Sequence, residues 1–165
     1  MKFFIEQIAL CPPDPDRARA LLVALGLTDW VRDTVTAEGR VFGTPGVNVA
    51  HLAFNYEASA PGPKPLELEV LHYVAGSNWI DAGRRGASVS HLGMHCTEEE
   101  LDAFRRKFAA LGIPVAQEVL TLAHTNPYLL SNGRKYRYVI FDTRSILGVD
   151  LKFIVRREPP AAAQE

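Results

Sequence analysis

Ser90-His91-Leu92-Gly93-Met94-His95-Cys96 reads as a β-strand. Side chains alternate across a strand, so Leu92, Met94 and Cys96 share one face and His91, Gly93 and His95 the other. The apolar face requires a core. The opposite face carries two imidazoles separated by a glycine, which leaves room for a close approach. At ~3.3 Å per residue, His95 lies roughly 13 Å beyond His91, too far to share one bound ion unless the strand bends.

The rest of the chain reads outward from this strand. Thr97-Glu98-Glu99-Glu100 is a capping box, and Leu101, Phe104, Phe108 and Leu111 make a helical stripe that ends at Gly112. Strands are expected at 115–121, 136–141 and 146–155, with a long loop over 122–135 that carries His124, Asn126 and Tyr128. The last strand sets Gly148, Asp150 and Lys152 opposite Leu147, Val149, Leu151, Phe153 and Val155. Toward the N-terminus, residues 3–11 alternate as a strand. Asp14-Pro15-Asp16 starts a helix with Asp14 as N-cap, and Ala18, Leu21, Leu22 and Leu25 give it an apolar stripe before Gly26. Strands at 28–36 and 47–56 follow, with turn signals at Glu38-Gly39 and Thr44-Pro45-Gly46. Ala60 to Pro65 reads as a proline-rich loop. Leu66 to Val74 is a strand, with Glu67, Glu69, Leu71 and Tyr73 on one face and His72 on the other.

The 165 residues are 47% hydrophobic, with a net charge of −1. That supports a real core and gives no electrostatic footprint for nucleic acid or an anionic membrane. The two cysteines, Cys11 and Cys96, lie on expected strands and suggest a reducing compartment rather than a disulfide framework. No apolar run approaches the ~20 residues that span a bilayer, and Glu6 interrupts the first apolar stretch too early for a signal-peptide core. A cytoplasmic protein is expected, with a frayed tail from 157 to 165.

The two halves match. Leu25-Gly26-Leu27 recurs as Leu111-Gly112-Ile113, 86 residues on (112 − 26). Each half reads strand, capped helix, then three strands, the signature of a duplicated unit. The first unit spans 1–75, a linker 76–87, and the second unit 88–156. The repeat pairs Gln7 with His91 (91 − 7 = 84) and Glu69 with Asp150 (150 − 69 = 81). One imidazole, one amide oxygen and two carboxylates around a pseudo-two-fold axis would suit a borderline or hard divalent ion: Zn, Ni, Co, Mn or Fe(II).

The carrying motifs are Ile5-Glu6-Gln7-Ile8-Ala9-Leu10, Leu66-Glu67-Leu68-Glu69-Val70-Leu71, Ser90-His91-Leu92-Gly93-Met94, and Phe141-Asp142 through Gly148-Val149-Asp150-Leu151. Over residues 3–155 they resemble the vicinal oxygen chelate superfamily, the glyoxalase/bleomycin-resistance/extradiol-dioxygenase fold. The resemblance implies an α+β fold: tandem βαβββ modules forming an eight-stranded, partly closed barrel-like cleft with helices outside. It implies metal ligands on the first and fourth strand of each unit, here Gln7, Glu69, His91 and Asp150. The last departs from the glutamate of the glyoxalase I branch by one methylene. Glu69 or Asp150 would then also serve as catalytic base, and His95, Lys152, His124, Asn126, Tyr128 and Arg137 are candidate pocket residues. Lys152 could instead salt-bridge Asp150 and satisfy it without metal.

Three functions are open on this reading. The first is a metal-dependent, glyoxalase-like lyase or isomerase of a small oxygenated metabolite. The second is an extradiol-type dioxygenase, which needs two histidines and a carboxylate on Fe(II) or Mn(II). The third is a metal-free binding or resistance protein of the same fold. A small-molecule partner and a homodimer are expected under each.

Overall fold

The computed structural model describes residues 2–59, 65–76, 89–127 and 135–157. The loop expected at 60–65 lies almost wholly outside them, as do most of the 76–87 linker, the tail, and Tyr128. The elements run β1 (Gln7–Leu10), α1 (Pro15–Ala24), β2 (Val31–Val41), β3 (Thr44–Asn55), β4 (Glu67–Gly76), β5 (His91–His95), α2 (Glu98–Ala110), β6 (Val115–His124), β7 (Lys135–Phe141), α3 (Arg144–Leu147) and β8 (Asp150–Arg157). No helix among the described residues is long and apolar enough to cross a membrane.

The eight strands close a barrel in the order β1-β4-β3-β2-β6-β7-β8-β5. Within each unit the first strand runs parallel to the fourth, β1 with β4 and β5 with β8. The units join through two antiparallel seams, β1–β5 and β2–β6, which make the eight-stranded, barrel-like architecture of tandem βαβββ modules expected from the sequence. At the first seam Gln7 pairs with Gly93 and Ala9 with His91. An antiparallel seam between two copies of one strand is what a two-fold axis makes, and the register confirms that Gln7 and His91 are equivalent.

Apolar residues fill the interior and the outer face separately. Val35, Ala37, Ala50, Leu52, Leu71, Tyr73 and Val119 pack inside the barrel, joined by Phe54 and Tyr138. Outside, α2 presses Leu101 and Phe104 onto Met94, Val139, Phe141, Phe153 and Val155. Phe108 stacks on Phe141 with centroids 4.3 Å apart. The Thr97–Glu100 capping box forms as read. Leu111 does not join the stripe: it is the C-cap and 72% exposed, and Ile113 packs instead. On α1, capped by Asp14, no residue is fully buried; Ala18 and Leu22, one turn apart, are half-buried, while Leu21 and Leu25 face outward.

Three further expectations change. The turn signals at Glu38-Gly39 and Thr44-Pro45-Gly46 lie inside paired strands, Gly39 opposite Gly46. The hairpin turns at Phe42-Gly43, both with positive φ (45° and 80°), the geometry that matches strand twist in a two-residue loop. The loop expected from 122 is strand as far as His124. Residues 144–147 form a helical turn that Gly148 ends in the left-handed region, so β8 begins at Asp150.

Gly39 is needed for a different reason than a turn. A Cβ there would sit 2.0 Å from the carbonyl oxygen of Glu118, because β2 and β6 approach closely at the second seam. Gly39→Ala must push two backbones apart, and a loss of roughly 2–4 kcal/mol is expected, measured as the shift in urea midpoint at unchanged m-value.

Candidate functional site

The site grows from the rows of paired residues that cross the first seam. One row reads Lys152, Gly93, Gln7, Glu67 along β8, β5, β1 and β4; the next reads Asp150, His91, Ala9, Glu69. The rows are mirror copies. Gln7 matches His91, Gly93 matches Ala9, Glu69 matches Lys152 and Glu67 matches Asp150. Counting along the sequence had paired Glu69 with Asp150. The register corrects this by two residues: Glu69 and Lys152 are the equivalents (152 − 69 = 83). The small residues Ala9 and Gly93 open the space between the larger ones. A Cβ on Gly93 would lie 2.8 Å from Gln7 Oε1.

Four side chains therefore converge: Gln7, His91, Glu69 and Lys152, all buried. His91 Nε2 lies 3.0 Å from Gln7 Oε1 and 3.3 Å from Glu69 Oε2, and Lys152 Nζ lies 3.5 Å from the same carboxylate oxygen. Flanked by two acceptors, His91 Nε2 is the protonated nitrogen, while Nδ1 faces the Ser90 hydroxyl at 3.2 Å. The Gln7 amide turns its nitrogen to Glu67 Oε1, whose other oxygen accepts from the Tyr56 hydroxyl at 2.8 Å. Lys152 also sits 4.6 Å from the centre of the Tyr138 ring.

The charges follow from these contacts. Burial alone would raise the Glu69 pKa; the Lys152 ammonium and the His91 hydrogen bond outweigh it and hold the carboxyl well below its usual range. Burial, reinforced by Lys152, drives the His91 imidazole down to about 4 against the pull of Glu69, so His91 is neutral. The cluster is a direct Glu69–Lys152 ion pair, with neutral His91 joining Glu69 to the Gln7 amide.

Asp150 is not part of it. It is buried, but its Oδ2 faces the Arg144 Nε at 3.4 Å, and Arg144 also donates to the Ser90 carbonyl at 2.5 Å. Asp150 helps tie α3 to the start of β5, beneath His91. Nor does it salt-bridge Lys152, which turns to Glu69 instead.

The set can be tested against a divalent ion. Gln7 Oε1, His91 Nε2 and Glu69 Oε2 are spaced as ligands with bonds of ~2.0–2.2 Å could be. The fourth member is an ammonium, which cannot ligate. An ion bound to Glu69 would share that carboxylate with the Lys152 ammonium 3.5 Å away and be repelled by it. No group of three or more His, Cys, Asp or Glu among the described residues is placed to hold a metal. The donor set does not fit the four-ligand ion expected from the sequence.

Above the cluster the barrel opens into a cavity of about 420 Å³, whose walls include Gln7, Glu67, Glu69, Tyr138 and Lys152. His95 stands exposed at its edge, its Nδ1 3.3 Å from Glu6 Oε2. Across the cavity, His124 Nδ1 lies 2.6 Å from Asp33 Oδ2, and Asp33 Oδ1 accepts from the backbone N–H groups of Thr125 and Asn126 at 2.8 and 2.9 Å. Asn126 thus borders the cavity and caps Asp33. Arg137, expected in the pocket, lies outside the barrel, where it bridges Glu118 and Glu98 of α2. Asp33 was not singled out from the sequence. Its signal was present: it interrupts the inward series Val31, Val35, Ala37 with a carboxylate.

A family model described as the Glyoxalase/Bleomycin resistance protein/Dioxygenase superfamily matches residues 6–127. No curated protein matches the chain in sequence. Among solved structures, a crystal structure of methylmalonyl-CoA epimerase is similar, at 14% identity over 92% of this chain and 93% of that chain, with a TM-score of 0.46.

Removing one partner of a buried ion pair leaves the other charge uncompensated. Lys152→Met is expected to lower stability by about 3–5 kcal/mol. Adding Glu69→Gln to Lys152→Met should recover much of that loss, read as a positive coupling in a double-mutant cycle of urea unfolding.

Proposed function

The chain belongs to the glyoxalase/bleomycin resistance protein/dioxygenase superfamily, and on that premise we propose that it holds a small molecule in the barrel cavity without a resident metal ion. The observation that carries this reading is Lys152. It occupies the place equivalent to Glu69, where this architecture would supply its fourth ligand, and it gives Glu69 a fixed positive partner at 3.5 Å. Gln7 then serves as a hydrogen-bonding group in the cavity floor, and His91 as the buried group beneath it that contacts Gln7 and Glu69, rather than as ligands.

The metal-dependent lyase or isomerase has one observation in its favour, the convergence of Gln7, Glu69 and His91. Lys152 opposes it. The dioxygenase reading needs a second histidine beside His91, and the two candidates are engaged elsewhere, His95 with Glu6 and His124 with Asp33.

The test is elemental analysis of protein purified without chelator, then dialysed against Zn, Ni, Co, Mn or Fe(II) in turn. Metal well below one equivalent is expected for the wild type. Lys152→Glu restores a carboxylate at the fourth place and should bind close to one equivalent of at least one of these ions, a gain removed by His91→Ala. Stoichiometric metal in the wild type, lost on His91→Ala, would return the site to the metal-dependent reading.

A further inference from the structure

Three of the chain's imidazoles face a carboxylate among the described residues: His91 with Glu69, His95 with Glu6 and His124 with Asp33. The other two meet across strands. His51 on β3 and His72 on β4 are direct partners in the antiparallel register. Their neighbours Ala50, Leu52, Leu71 and Tyr73 fill the barrel interior, so alternation turns both imidazoles to the outer face. His51 is exposed and His72 half-buried, and both line a groove of about 650 Å³ between the sheet and the start of α1.

Directly opposed residues on antiparallel strands have Cβ atoms about 4.5–5.5 Å apart, a span from which two imidazoles can close on one ion with bonds of about 2.0–2.1 Å. Thr34 extends the row. It is the β2 partner of His51, and its Oγ1 lies 2.9 Å from His51 Nδ1. A metal ion on Nε2 selects the tautomer that donates Nδ1–H to that hydroxyl oxygen, the kind of support that orients ligating histidines. Thr34 is itself fixed, because its N–H donates to Thr125 Oγ1 at 2.8 Å.

The charges of the groove do not oppose a dication. Asp14, Asp16 and Asp33 line it against Arg19 and Arg32, and Arg19 is turned to Asp16 at 2.9 Å. This differs from the cavity floor, where Lys152 stands in the fourth place. No set of three or more His, Cys, Asp or Glu forms among the described residues, so an ion held by this pair keeps positions open to water.

We infer that His51 and His72 form a two-imidazole chelate on the outer face of the barrel for a late first-row divalent ion, copper(II) ahead of nickel and zinc. Imidazole nitrogens suit these ions, copper stands highest in the order of divalent affinities, and its tetragonal geometry accepts two nitrogens with water oxygens. The site is separate from the barrel cavity and requires no metal there.

The test titrates Cu(II) into the full, untagged chain after chelator treatment and dialysis into a non-coordinating buffer. Binding is read by competition with a chromophoric chelator and by electron paramagnetic resonance. The wild type is expected to take up about one equivalent with nitrogen superhyperfine coupling, and to hold Zn at least roughly tenfold more weakly. His51→Ala and His72→Ala should each lower the Cu(II) affinity about tenfold or more and reduce the nitrogen coupling. Thr34→Val, which removes the oxygen behind the His51 ring, should weaken Cu(II) several-fold. Should His72→Ala not fold by circular dichroism, His51→Ala and Thr34→Val still decide, since the His51 side chain is exposed. Zinc or nickel retained by the dialysed wild type belongs to this site if His51→Ala removes it and His91→Ala does not. No copper uptake at one equivalent, or an affinity unchanged in both alanine variants, overturns the inference. Copper kept in both and lost in His91→Ala places the ion in the barrel and overturns the metal-free reading as well.

Discussion

A carboxylate that is 1% exposed must have a cation or be neutral, and Glu69 is ionised. The rest of the cavity floor follows from how that requirement is met. The barrel places Glu69 on β4 and Lys152 on β8, on either side of the two strands that meet at the β1–β5 seam. Neither side chain would be tolerated there alone. The seam makes the meeting possible because the residues directly between are alanine and glycine: Ala9 separates Glu69 from His91, and Gly93 separates Lys152 from Gln7. The packing constraint and the electrostatic one are the same constraint, applied to adjacent residues.

The two units share a backbone and differ in what they carry. Gln7 and His91 are equivalent and both make hydrogen bonds; Glu69 and Lys152 are equivalent and have opposite charge. A duplicated scaffold whose equivalent positions carry a carboxylate in one unit and an ammonium in the other satisfies both charges across the axis. The outer faces diverge as well. On α2, Leu101 and Phe104 are buried against the phenylalanines of β7 and β8, whereas α1 buries no residue fully. The units are alike in their strand order and unlike in the work each face does.

Much of this was legible in the residues. The Thr97–Glu100 box, the Asp14 cap, the repeat of Leu-Gly with Leu or Ile and the alternation in β4 and β5 are local signals, and each corresponds to an element that forms. The equivalence of Gln7 and His91 came from the alternation of the two strands themselves, although the offset grows from 84 there to 86 at Gly26 and Gly112. The partner of Glu69 did not, because Arg144–Leu147 forms a helical turn before β8, and counting through it cannot say which of Asp150 and Lys152 lies level with Glu69. Only strand register decides that. His124 was missed as a strand residue because Thr121 to Asn126 (Thr-Leu-Ala-His-Thr-Asn) has no clean apolar alternation and runs into Asn126-Pro127. Its pairing to β2, and its bond to Asp33 from 91 residues away, are tertiary facts.

An ammonium in place of a divalent ion changes what the floor can do. A metal ion with an open position draws in a ligand oxygen and polarises it. Lys152 contributes one positive charge, not two, and its donors are turned toward Glu69 and the Tyr138 face. The floor is then close to neutral and internally paired. On the opposite wall His124 is held by Asp33, whose other oxygen is fixed by the backbone N–H groups of Thr125 and Asn126.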